Sequence, residues 1–130
     1  MPKISPRESV REHPLYRSAM AAQHAAYQLM RDVPASAKAD ATRLHAALVH
    51  ATTWATALVD PGVSAKARDA ARAGLEASVA SATEMLAPLA PLADDAGIVD
   101  TLEKRMEELR KVKSEAESEP AVAPQAEPAA

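Results

Sequence analysis

Four histidines, at positions 13, 24, 45 and 50, are the side chains best suited to hold a metal or move a proton. Their spacing works against both roles. His45 and His50 are five residues apart, about 140° around a helix, so one helix does not aim them at a single ion. The chain has no His-x-x-x-His pair and no Glu-x-x-His motif of the di-iron bundle kind. These histidines are therefore expected at surface or boundary positions, with interface hydrogen bonding as the alternative, and no cofactor is expected. Carboxylates cluster at Asp94-Asp95 and at Glu103, Glu107 and Glu108. The first pair suits a helix N-terminus, where free backbone N–H groups and the dipole favour negative charge. The second alternates with Lys104, Arg105, Arg110 and Lys111, the pattern of a solvated helix face. A catalytic acid and base need a cleft and shifted pKa values, and an alanine-lined bundle has little room for one. The chain is expected not to be an enzyme.

Arg17, His24 and Arg31 recur every seven residues and so share one side of a helix, a stripe that Lys38 and Arg43 could widen. Such a stripe can meet phosphates. The nucleic-acid alternative thus rests on Arg17, His24, Arg31 and Lys38. A further alternative is an amphipathic protein that coats a lipid or granule surface.

The elements that position these residues are helices. The 130 residues include no Cys, no Phe, one Trp, two Tyr and three Gly, with alanine leading the apolar fraction. That favours helix over sheet. It also excludes disulfides and thiolate chemistry, which agrees with a cytoplasmic setting. The net charge of −3 is unevenly spread: residues 1–33 hold five basic and three acidic side chains, residues 91–130 five and ten. The N-terminal stretch lacks the apolar run of a signal peptide, and no transmembrane segment is expected.

In Ser36 to Asp60, Ala41, Leu44, Leu48, Ala51, Ala55 and Leu58 form one apolar stripe. Before it, Pro14 to about Val33 reads as a helix with a wide apolar face, Tyr16, Met20, Gln23, Tyr27 and Met30 lying beside Leu15, Ala19, Ala22, Ala26 and Leu29. Asp60-Pro61-Gly62 is a corner, and Ser64 a cap for a third helix to about Ala87 along Ala67, Ala71, Leu75, Val79, Ala82 and Leu86. Gly74 inside that helix either marks a close helix–helix approach or is simply tolerated. Pro88 and Pro91 break or kink the chain there, and Asp94 or Asp95 caps a fourth helix carrying Val99, Leu102, Met106, Leu109 and Val112. The expectation is all-α: an antiparallel up-down-up-down four-helix bundle over 14–118, an N-terminal arm over 1–13 and a disordered C-terminal tail over 119–130.

The layout resembles the small four-helix-bundle proteins that include the 23S rRNA intervening-sequence proteins and the accessory variability determinants of diversity-generating retroelements. The likeness lies in helix order, in YQLMRDVP at the end of the first helix, and in SVASATEMLAPLAPL, whose Ser78-Val79 and Glu84-Met85-Leu86 match that family's third-helix run. Where the family has an arginine-rich start and an Asn-Glu-Gly end to the second helix, this chain has Thr42-Arg43-Leu44-His45 and Thr53-Trp54-Ala55. The resemblance implies a non-catalytic bundle that assembles as a closed ring, commonly a pentamer, and in the retroelement branch a basic surface for nucleic acid and a reverse transcriptase.

Trp54 stands off the core stripe, on the side it shares with His50, Ala47 and Arg43. A tryptophan there needs cover. The expected cover is a second copy of the chain, with Trp54, His50, Ala47 and Arg43 at the contact. The alternative is a boundary position under the first helix or the Pro88–Pro91 segment. The sequence thus reads as a homo-oligomeric scaffold or adaptor that binds protein.

Overall fold

The computed structural model describes residues 10–118. The tail expected over 119–130, and the arm expected over 1–13 as far as residue 9, lie outside the described residues. Residues 10–12 are helical, and His13 turns the chain into α1 (Pro14–Asp32). Pro14 occupies the first helical turn, where its missing N–H costs nothing. His13 Nδ1 accepts from the Leu15 N–H at 3.0 Å, a capping role that needs that ring nitrogen unprotonated. Pro34 forces Val33 out of the helical region, to ψ 158°, and ends the helix.

A 3-10 turn, Ala35–Ala37, runs straight into α2 (Lys38–Val59). Ser36 lies within that turn and does not cap the helix: the residue before α2 is Ala37, and no side chain caps it. Instead Lys38 reaches back, its Nζ donating to the carbonyls of Met30 at 2.8 Å and Arg31 at 3.2 Å. That satisfies orphan C=O groups at the negative end of α1. At the corner, Asp60 Oδ1 accepts from the Gly62 N–H at 2.8 Å. Ser64 caps α3 (Ala65–Leu89) by accepting from Ala67 N–H at 3.1 Å.

α3 runs through Pro88 and ends at Leu89, beyond the expected break. Pro88 sits in the last turn, so its missing N–H leaves only the carbonyl of Glu84, an exposed residue, without its helical partner. A second 3-10 turn, Ala90–Leu92, leads to α4 (Ala96–Ser118). Asp95 supplies the side-chain bond at its start, accepting from Gly97 N–H at 2.8 Å. The Asp95 N–H donates to Asp32 Oδ2 at 3.0 Å and so ties the end of α1 to the start of α4.

The chain is all-α, with no strand among the described residues. α1 packs on α2 and on α4, and α2 packs on α3, but α3 and α4 scarcely meet. Leu15, Leu29, Leu44, Leu48, Leu75, Leu102 and Leu109 are fully buried. Burying a leucine contributes about 1.5–3 kcal/mol and an alanine methyl far less, so the leucines carry the core while the alanines let the helices approach. The stripes read from α2 and α4 are buried throughout, and that of α3 except at Ala67 in its first turn. On α1 the wide apolar face divides. Leu15, Ala19, Ala22, Ala26 and Leu29 turn inward, whereas Met20 and Tyr27 stand exposed, because two neighbouring helices cover only part of the circumference.

Candidate functional site

The outer face of α1 holds the only expected basic stripe, and the structure leaves it exposed at Arg17, His24 and Arg31. Beside it runs an apolar row of the same period: Tyr16 half-buried, Met20 38% exposed and Tyr27 42% exposed. At the α2 edge of this face the Tyr27 and His45 rings lie 5.8 Å apart, tilted by 59°. Arg31 Cζ is 6.0 Å from the Tyr27 ring centre, at the outer limit of a cation–π contact. His24 Nε2 lies 3.3 Å from the Gln28 amide nitrogen. Deeper in the seam, Thr52 Oγ1 is 2.9 Å from Gln23 Oε1 and joins α2 to α1. Neither residue expected to widen the stripe adds a loose cation. Lys38 is engaged by the carbonyls of α1, and Arg43 pairs with Asp40 one turn away.

The side of α2 that carries Trp54 has a different character. Ala47 is buried, His50 and Arg43 are exposed, and Trp54 is 36% exposed. The indole lies flat on Gly74 of α3: a Cβ at position 74 would stand 2.5 Å from Trp54 Cδ2 and 2.6 Å from its Nε1. Of the two readings of that glycine, close approach is the one found. Trp54 therefore takes part of its cover from its own chain, at Gly74 in α3 rather than under α1 or at the Pro88–Pro91 segment.

A third feature was not legible beforehand. Because α3 and α4 scarcely meet, a groove of about 350 Å³ opens between them. Leu86 and Met106 form its floor and Glu103 and Glu107 line its α4 wall. Arg110 Nη1 donates to Thr83 Oγ1 at 3.1 Å and so bridges the gap. The spacing of two helices distant in sequence opens this groove, and no local motif encodes that spacing.

The histidines stay apart: one caps α1, one meets Gln28, one meets Tyr27, and His50 is exposed. Among the described residues no three His, Asp or Glu side chains are arranged to hold a metal, and no helix is long and apolar enough to cross a membrane. No family model, curated protein or solved structure matches this chain.

Proposed function

We propose that this protein is a non-enzymatic, self-assembling helical scaffold or adaptor of the cytoplasm, built as an antiparallel up-down-up-down four-helix bundle. The antiparallel order is supported by three contacts that each join a late part of one helix to an early part of its neighbour: Tyr27 with His45, Trp54 with Gly74, and Asp32 with Asp95. The observation that carries self-assembly is the outer face of α1, where Met20 and Tyr27 stand in water on one side of one helix. Exposed large apolar side chains in a row mark a surface meant to be covered. The likeness to ring-forming bundles agrees with this reading and extends it to a closed ring.

A second reading, a nucleic-acid-associated accessory protein, is favoured by Arg31 beside the exposed Tyr27 ring, since an aromatic face can stack a base while a guanidinium meets phosphate. One experiment separates the two. Multi-angle light scattering of the protein alone should show a mass above the 13.7 kDa of one chain, rising with concentration as expected of linked association up to about 100 µM. A strictly monomeric protein over that range sinks the scaffold. Adding a single-stranded oligonucleotide near physiological salt should leave the mass unchanged, and a stable complex would favour the second reading.

A further inference from the structure

The outer face of α1 and the α3–α4 groove are complementary in shape and in charge. The face is a convex helical ridge. Met20 and Tyr27 stand proud of it, seven residues apart, or about 10 Å along the helix axis. Arg17 and Arg31 flank them as fixed positive charges, and α1 itself carries no carboxylate except Asp32 at its end, which is engaged with Asp95. The groove is concave, with an apolar floor of Leu86 and Met106. Its acidic wall is Glu103 and Glu107, and Asp100 continues the same flank of α4 at a spacing of three. The groove also holds one cation, Arg110, which donates to Thr83 and keeps its charge, so two carboxylates line the groove against one guanidinium.

We infer that the α3–α4 groove of one copy receives the α1 ridge of a second copy, with Met20 and Tyr27 over Leu86 and Met106 and with Arg17 and Arg31 facing Glu103 and Glu107. This rests on the self-assembly reading above and specifies its contact. The mode is a helix laid into a groove. It uses two different surfaces of the same chain, so it is head-to-tail: successive copies close into a ring or extend into a filament. The ridge lies on α1 and the groove on the open edge away from the α1–α2 pair, so one chain offers both at once. Among the described residues the groove is open, and the neighbour's ridge would fill it.

Charge reversal on each side, followed by mixing, tests this. Arg17→Glu with Arg31→Glu alters the ridge; Glu103→Arg with Glu107→Arg alters the groove. All four positions are exposed, and each variant's helicity is checked by circular dichroism. Expected is that each variant alone runs at the 13.7 kDa of one chain, and that an equimolar mixture associates again, because alternating copies restore opposite charge at both kinds of junction. A groove variant that still assembles alone overturns the inference, since it would mean that ridges pair with each other. So does a mixture that stays monomeric while wild-type protein assembles; in both cases self-assembly itself stands. Monomeric wild-type protein removes both the assembly and this contact. Should either reversal unfold the chain, the neutral pairs Arg17→Gln with Arg31→Gln and Glu103→Gln with Glu107→Gln replace it. Each must then raise the concentration for half-assembly at least tenfold, and no change there overturns the inference equally.

Discussion

At the scale of the residue, the contact between Trp54 and Gly74 shows how a side chain and a missing one are chosen together. A glycine in a helix interior costs about 1 kcal/mol relative to alanine, and here it admits an indole against the backbone of α3. Gly74→Ala should therefore displace the ring and lower stability, overpacking typically costing about 1–3 kcal/mol against a propensity gain of about 1. Trp54 is the only tryptophan, so its fluorescence reports the change directly. The emission should shift to the red and the thermal midpoint fall. In a Trp54→Ala background the same Gly74→Ala should be neutral or stabilising by up to about 1 kcal/mol. Additive effects in the two backgrounds would show that the contact carries no energy. His13 teaches a related lesson: its neighbour Pro14 marks the helix start plainly, but nothing in the residue type announces that the imidazole caps α1.

At the scale of the element, the ends of the helices follow backbone rules closely, and the exceptions have local reasons. Asp60, Ser64 and Asp95 each place an oxygen on a free N–H. Ser36 does not, because the 3-10 turn leaves no non-helical residue at the start of α2 for a serine to occupy. Pro88 is tolerated inside α3 since only one hydrogen bond is lost near an exposed end. Restoring that bond is the natural test. Pro88→Ala should raise the thermal midpoint, the gain being about 1 kcal/mol for one helical hydrogen bond plus propensity, well below the roughly 3 kcal/mol of a mid-helix proline. A fall in the midpoint would mean that the proline holds the Ala90–Leu92 turn in the shape α4 needs.

At the scale of the whole molecule, charge is divided by face as well as by position along the chain. The net charge of −3 combines a basic α1 surface with an acidic C-terminal part. If contacts between copies join these surfaces, salt must weaken them. Between ionic strengths of 0.1 M and 1 M the screening length drops from about 10 Å to about 3 Å. The average mass in solution should fall across that range at fixed protein concentration. A mass that holds or grows would assign the contact to Met20 and Tyr27 with little help from Arg17 and Arg31.

The sequence by itself determined the helices, the cap at Ser64, a cap at Asp94 or Asp95 that the structure assigns to Asp95, and the stripes that become the core. All of these depend on a residue's own propensity or on neighbours three and four positions away, interactions that are local and periodic. Only the tertiary structure decided which half of the apolar arc of α1 is buried, since that depends on how many helices flank it and at what angle. It likewise decided that Trp54 rests on Gly74, twenty residues on in sequence, and that Lys38 closes α1 instead of widening a basic stripe. The groove beside Leu86 and Met106 belongs to the same class. It exists because α4 packs on α1 and stands off from α3, a spacing set by the volumes of side chains on all four helices at once.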